Sequence, residues 1–149
     1  MLTPKPSSLS AVLSPVITPF NADGSPNIPK LLKQCKWLEA NGVGHAVFGT
    51  NSEANSISTL QKLHVLDELI RGGLDPAHMM PGTGACSIHA AVQMTKAAVD
   101  AKCGGVLMLP PFYYKDICDD GLFAYFAEVI EKVGDPKLQI YIYNIPPVT

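Results

Sequence analysis

Residues 105–114 read Gly-Val-Leu-Met-Leu-Pro-Pro-Phe-Tyr-Tyr, a short apolar run followed by proline and aromatic residues. The apolar half is nearly continuous, as in a strand that is buried on both faces of a parallel sheet. The run ends at Pro110, since proline has no N–H to donate to a sheet. A helical pattern follows at once. This strand–loop–helix order is the unit from which parallel α/β proteins are built.

The same unit recurs along the chain with a period of roughly 30 residues. Five apolar runs predict strands, and four helical patterns separate them. The predicted strands are Ala11–Ile17, His45–Phe48, His78–Pro81, Gly105–Leu109 and Leu138–Tyr143. The third is the weakest of them, because Met79 and Met80 are its only large apolar residues. The chain is therefore predicted to be β-α-β-α-β-α-β-α-β.

Local signals mark where several of the helices begin. Ser58 and Gln61 have the spacing of a capping box, and Ser87 can cap the third helix. Asp119 and Asp120 favour the N-terminus of the fourth helix, where the helix dipole stabilises negative charge. The predicted apolar face of that fourth helix is Leu122, Phe123, Phe126, Val129, Ile130 and Val133.

This periodicity is compatible with two architectures. One is a complete, doubly wound domain of flavodoxin type that lacks its last helix. The other is the first five strands and four helices of a larger (β/α)₈ barrel. Residues 1–10 are expected to form a flexible arm, and residues 11–149 the folded part. In both architectures ligands bind at the carboxyl ends of the strands.

Composition excludes several classes of protein. Of 149 residues, 47% are apolar and 16% are charged, which argues against disorder. The net charge of −2 provides no basic excess for nucleic-acid binding. No apolar stretch predicts a membrane span or a signal peptide, so we expect a cytoplasmic protein. Neither a disulfide nor a metal site is predicted by the spacing of the four cysteines, Cys35, Cys86, Cys103 and Cys118.

Polar and aromatic motifs follow each predicted strand. Taken singly, each has an ordinary structural explanation: the glycines at 82 and 84 can form a tight turn, the threonine at 50 can cap a turn, and the tyrosines at 113 and 114 can be rim aromatics. In chain order the motifs are Thr18-Pro19-Phe20, Gly49-Thr50-Asn51-Ser52-Glu53, Gly82-Thr83-Gly84, Pro111-Phe112-Tyr113-Tyr114 and Tyr143-Asn144-Ile145-Pro146.

In this order and spacing the motifs resemble the dihydrodipicolinate synthase and N-acetylneuraminate lyase family of pyruvate-dependent class I aldolases. The resemblance covers residues 11–149. It implies a partial (β/α)₈ TIM barrel rather than the flavodoxin-like alternative. It also implies a lyase that forms or cleaves a carbon–carbon bond between pyruvate and an aldehyde or a 2-keto acid, with no added cofactor.

The family's mechanism implies a role for several of these residues. A lysine forms a Schiff base with pyruvate, and Tyr143 transfers protons as general acid and base. Thr50 relays protons to a second tyrosine, which matches Tyr113, or Tyr114 if the loop aligns one residue later. That tyrosine comes from a neighbouring subunit, so a homo-oligomer is expected. The backbone around Thr50 and Asn51 is expected to hold the pyruvate carboxylate, and Tyr114 is an expected substrate contact.

Four departures from the family pattern qualify these expectations. Asn51 replaces a hydroxyl residue that could relay a proton, and Ser52 replaces a glycine. Val148 stands where dihydrodipicolinate synthases have an arginine that binds the carboxylate of the aldehyde, which favours another acceptor. The Schiff-base lysine belongs to a sixth strand, beyond Thr149. The sequence therefore predicts the first half of an aldolase; the alternatives are a non-catalytic half-barrel that pairs with another chain and a flavodoxin-like binding domain.

Overall fold

The computed structural model describes residues 12–149. The predicted arm at residues 1–10 and the first residue of the predicted strand at 11–17 lie outside this range. Within this range four α-helices and four short parallel strands follow the predicted order, except that no regular strand lies between the second and third helices. The elements are β1 (Leu13–Pro15), α1 (Ile28–Ala40), β2 (Gly44–Ala46), α2 (Thr59–Arg71), α3 (Ile88–Asp100), β3 (Val106–Met108), α4 (Asp119–Val133) and β4 (Ile140–Ile142).

The predicted helix starts are confirmed by their capping interactions. The Ser58 hydroxyl accepts a hydrogen bond from the Gln61 N–H, and the Gln61 side chain accepts one from the Ser58 N–H. The Ser87 hydroxyl accepts from the N–H of Ala90 in the same way. Both acidic residues at the start of α4 lie in its first turn. Local sequence therefore determines where these helices begin.

The third predicted strand, His78–Pro81, is wrong as a regular strand. Residues 76–78 form a 3₁₀ turn, and only isolated parallel bridges follow, from Met79 to His45 and from Gly82 to Leu107. Pro81 has no backbone N–H to donate to a neighbouring strand, and the glycines at 82 and 84 weaken a strand. We call residues 79–83 the central segment, because it lies between β2 and β3.

The order of the strands follows the order of the sequence. β1 pairs with β2 and β3 pairs with β4, all in parallel, and the central segment bridges the two pairs. Each helix packs against the next one along the chain, so the helices form one layer. A flavodoxin-like sheet instead places its first strand between the second and third, with helices on both faces. Sequential parallel strands under a single helical layer are the arrangement found in a (β/α)₈ barrel.

The helices cover the sheet through two apolar clusters. One joins α1 and α2 to the first two strands, and the other joins α3 and α4 to β3 and β4. The predicted face of α4 is partly wrong, because Phe123 and Ile130 are 76% and 50% exposed. Tyr125 is buried instead, since its hydroxyl finds a backbone acceptor. Within the described residues, none of the helices has the length and hydrophobicity needed to cross a bilayer.

Candidate active site at the carboxyl edge

The candidate site lies where the parallel strands end. Because the strands run in one direction, the loops that follow β2, the central segment, β3 and β4 all start at the same edge of the sheet. Thr50, Tyr113 and Tyr143 follow strands at this edge, and Thr83 is the last residue of the central segment. The N–H of Tyr143 donates to the Met108 carbonyl at 2.9 Å, which continues the β3–β4 pairing to this edge.

The first loop is a compact turn made by residues 49–54. Gly49 accepts hydrogen bonds from the N–H groups of Ser52 and Ala54 at 3.1 and 3.3 Å, and Thr50 accepts from Glu53 at 3.1 Å. Ser52 is fully buried, whereas Thr50 is exposed on the turn. The turn thus presents Thr50 to solvent while its other side is anchored inside the protein.

Two backbone donors of this turn are free. The N–H groups of Thr50 and Asn51 make no hydrogen bond to any residue in the range 12–149. The first N–H groups of any helical turn lack an acceptor within the turn itself. Adjacent free N–H groups are suited to binding a carboxylate, which accepts hydrogen bonds on both of its oxygens.

The residue just before this turn has an unfavourable backbone conformation. Phe48 is buried and has φ of +60°, in the left-handed region that large side chains rarely occupy. This conformation turns the chain out of β2 into the Gly49 turn. Strain of this kind persists only where the surrounding structure fixes it, and it concentrates at functional sites.

Gly82 and Gly84 are not turn glycines, since Gly82 forms a parallel bridge to Leu107 and residues 82–84 contain no turn. A Cβ on Gly82 would overlap the backbone carbonyl of Phe48, and a Cβ on Gly84 would lie 2.5 Å from the N atom of Leu109. The two glycines let the central segment pass unusually close to the ends of both neighbouring strands. The ordinary explanation of this motif, a tight turn, is therefore wrong.

Supporting contacts fix the loop after the central segment. The Thr95 hydroxyl of α3 donates to the Thr83 hydroxyl at 3.0 Å, and both residues are buried. The Tyr125 hydroxyl of α4 donates to the Ala85 carbonyl at 2.7 Å. Burial raises the pKa of Tyr125, so this hydroxyl remains a donor at neutral pH.

Thr95 and Tyr125 were not predicted from the sequence as supports of the site. Each is a polar position within an otherwise apolar helical face, which is the signal that could have identified them.

The tyrosines of the site differ in their surroundings. Tyr143 is half-buried, whereas Tyr113 and Tyr114 are 77% and 58% exposed. The rings of the latter two meet edge to face, with centroids 5.5 Å apart. Among the described residues, the hydroxyls of Thr50, Tyr113 and Tyr143 make no hydrogen bond with one another. Within one chain, the strands bring these residues to one edge without forming the expected relay.

Val148 lies in a cavity of about 200 Å³ between the loop after β3 and the residues after β4. Pro110, Ile117 and Leu122 line the same cavity, so its wall is mainly apolar. The amine of Lys115 donates to the Val148 carbonyl at 2.6 Å and joins the two loops. This lysine is exposed but makes this loop-to-loop bond.

No group of three or more metal-ligating side chains occurs within residues 12–149. Cys35, Cys86, Cys103 and Cys118 are all free thiols.

Sequential parallel strands, one helical layer and a polar carboxyl edge define an α/β protein with the strand order that (β/α)₈ barrels share. The sequence model of the Dihydrodipicolinate synthetase family matches residues 8–149. The chain therefore belongs to that family, and the resemblance inferred from the strand-end motifs is confirmed.

Individual relatives agree with this assignment. The chain is 33% identical over 139 residues to 4-hydroxy-tetrahydrodipicolinate synthase of Methanococcoides burtonii, covering 93% of this chain and 46% of that one. Dihydrodipicolinate synthase of Agrobacterium tumefaciens superposes with a TM-score of 0.87 at 33% identity, covering 94% of this chain and 50% of that structure. The enzyme of Acinetobacter baumannii, solved in complex with pyruvate, gives a TM-score of 0.79 at 28% identity, with 93% and 46% covered. The chain spans about half the length of the curated relatives it matches.

Proposed function

We propose that this chain provides the first half of a pyruvate-binding, Schiff-base aldolase site in a (β/α)₈ barrel. One observation carries the proposal: the exposed Thr50, two free backbone N–H groups and Tyr143 all lie at the carboxyl edge of one parallel sheet. This is the edge at which barrel enzymes bind their substrates.

The free N–H groups of Thr50 and Asn51 are the proposed site for the pyruvate carboxylate. A carboxylate that accepts hydrogen bonds from backbone N–H groups is held in one orientation by charge-assisted bonds. The pyruvate bound in the Acinetobacter baumannii relative supports this substrate class.

Tyr143 is the proposed proton-transfer residue. Its phenol can both donate and accept a hydrogen bond, as a general acid and base requires. Thr50 has a free hydroxyl at the same edge and is the proposed relay. The exposed Tyr113, or its neighbour Tyr114, would complete the relay from an adjacent subunit, and its exposure in a single chain is consistent with that role.

The lysine of the Schiff base is proposed to come from the second half of the barrel. Its amine would condense with the pyruvate ketone and release water, giving an imine that accepts electrons during carbon–carbon bond formation or cleavage. Valine cannot bind an acceptor carboxylate, and the amine of Lys115, which also lines the cavity at Val148, donates to the Val148 carbonyl. We therefore propose an acceptor other than the aldehyde used by dihydrodipicolinate synthases.

The test combines residues 1–149 with the C-terminal half of the Agrobacterium tumefaciens relative, fused or co-expressed. Pyruvate and borohydride are added, and the mass of the protein is measured. We expect one pyruvyl adduct on the combined protein and none on the 149-residue chain by itself. A stoichiometric adduct on a lysine of the chain by itself, or none on a folded combination, would contradict the proposal.

In the combined protein, Tyr143→Phe should leave formation of the pyruvyl adduct intact. It should slow turnover by about 10²–10⁴-fold, the usual contribution of general acid–base catalysis. Tyr141→Phe is the matched control. It lies two residues earlier in β4, and its ring packs over Gly105, next to the amino end of β3 rather than at the carboxyl edge. Equal turnover in the two variants would remove Tyr143 from the mechanism.

A non-catalytic half-barrel is the second candidate. Ile17 and Ile142, at the two outer strands, are 57% and 67% exposed, and exposed apolar strands usually associate. In that case the 149-residue chain sediments as an oligomer or requires a complementary half, and the combined protein forms no adduct. A monomer with slow amide exchange in both β1 and β4 would contradict the half-barrel interpretation.

A further inference from the structure

The hydrogen-bond ladder between β1 and β2 stops one step short of the turn made by residues 49–54. The Val16 N–H donates to the Ala46 carbonyl at 3.3 Å, and the next bond in a regular parallel ladder would run from the Phe48 N–H to the Val16 carbonyl. No backbone N–H in the described residues donates to that carbonyl. The left-handed conformation of Phe48 ends the ladder at this point.

The Ser52 hydroxyl replaces the missing ladder bond. It donates to the Val16 carbonyl, and both residues are almost completely buried. Without this donor the carbonyl would be a buried acceptor with no partner, which is strongly disfavoured. The bond joins residues that are 36 positions apart in the chain. It is the side-chain hydrogen bond that connects the Gly49–Ala54 turn to β1.

We propose that Ser52 is a positioning residue, which holds the Thr50–Asn51 backbone in the orientation that binds the carboxylate of a 2-keto acid. The inference rests on the function proposed above for that turn. The internal bonds of the turn fix its shape but not its placement relative to β1. The serine hydroxyl fixes that placement, because it links the buried side of the turn to the end of the neighbouring strand.

Ser52→Ala removes the donor and keeps the size of the side chain close to the original. Ser56→Ala is the matched control, since this serine lies in the next 3₁₀ turn, is exposed and makes no side-chain hydrogen bond within residues 12–149. The full chain is labelled with ¹⁵N. Amide exchange is then measured at Glu53 and Ala54, and at Leu69 in the buried core as a report on global stability.

We expect Ser52→Ala to speed exchange at Glu53 and Ala54 by about tenfold, the equivalent of one net hydrogen bond. Leu69 should change much less, and Ser56→Ala should match the wild type at all of these amides. Equal exchange in the two serine variants would overturn the proposal.

Pyruvate titration gives the readout that a purely structural serine would not affect. The Thr50 and Asn51 amide resonances are followed, and Ser52→Ala should raise the half-saturating pyruvate concentration at least fivefold. Ser52→Cys retains a weak donor of similar size and should restore part of the loss, which also covers the case in which the alanine variant does not fold. Unchanged pyruvate response in Ser52→Ala would overturn the positioning role.

The two proposals fail in different ways. If the wild-type turn shows no response to pyruvate, the proposed function of the turn is wrong. The exchange rates at Glu53 and Ala54 then decide the role of Ser52 without any ligand.

Discussion

Replacing Gly82 by alanine tests whether the central segment requires its close approach to β2. A Cβ at this position would overlap the Phe48 carbonyl oxygen, lie 2.7 Å from the Phe48 carbonyl carbon and lie 3.2 Å from the Gly49 N atom. All three are backbone atoms, so no side chain can rotate away. Since carbon atoms normally pack at about 3.5–4.0 Å, the two segments would have to separate by roughly 1 Å.

The expected cost follows from what that separation disturbs. The Gly82 N–H donates to the Val47 carbonyl at 2.7 Å, and the Leu107 N–H donates to the Pro81 carbonyl at 3.0 Å. These bonds join the central segment to both of its neighbours. Overpacking typically costs about 1–3 kcal/mol, and a weakened hydrogen bond costs about 1 kcal/mol. We therefore expect Gly82→Ala to lower the free energy of unfolding by about 2–4 kcal/mol.

Gly49→Ala is the matched control from the same corner of the structure. Gly49 has φ of −81°, and a Cβ there would meet no atom within 4 Å. Alanine at such a position should be neutral or stabilise by about 0.4–1 kcal/mol, because it restricts the unfolded chain.

Urea unfolding followed by circular dichroism compares the two variants. With a slope of about 1–3 kcal/mol/M for a small domain, Gly82→Ala should lower the midpoint by about 1–2 M relative to Gly49→Ala. Coincident midpoints would refute the argument that the motif exists for close backbone approach.

The remaining predictions concern buried polar groups. Tyr125→Phe should lower the free energy of unfolding by about 1–3 kcal/mol, measured by urea unfolding, because it leaves the Ala85 carbonyl without its donor. Burial raises the pKa of Cys35 and Cys103 to about 12 from 9.0, so iodoacetamide at pH 8 should modify the exposed Cys118 and spare both, as read by mass spectrometry. The folded state keeps these two protons while the unfolded state loses them near pH 9. The free energy of unfolding should therefore be unaffected below pH 9 and should fall as the pH rises from 9 towards 12, by about 1 kcal/mol per thiol at pH 10. A free energy of unfolding that stays constant up to pH 11 would contradict this.

The helices were predictable because their determinants are local. A capping box at Ser58 needs only residues three apart, and it appears in the structure as the sequence indicates. The face of α4 was less predictable, since hydrophobicity alone favours Phe123 over Tyr125. The phenol is buried only because a carbonyl from a loop 40 residues away accepts a hydrogen bond from its hydroxyl. That partner belongs to the tertiary structure and has no signature in the helix itself.

The periodicity of the sequence could not predict the order of the strands for the same reason. Apolar runs of four to seven residues fit a singly wound and a doubly wound sheet equally well, and the choice depends on which strands pair. The motif Gly82-Thr83-Gly84 illustrates the limit: glycine is typical of turns, but here it permits contact with strand ends on both sides. A local interpretation gave the wrong physical reason for these two glycines.

The site combines two sets of residues with opposite requirements, and the sequence reveals only one set. Groups that act on a ligand need free hydrogen-bonding capacity, and the hydroxyl of Thr50 makes no bond within the described residues. Groups that hold them in place must be buried and satisfied, as Ser52, Thr83 and Thr95 are. The first set follows strand ends and forms a readable motif. The second set is dispersed along the chain and is defined by its partners. A departure such as Ser52 is therefore best interpreted through the carbonyl it satisfies, because that contact shows how a changed residue preserves the placement of the turn.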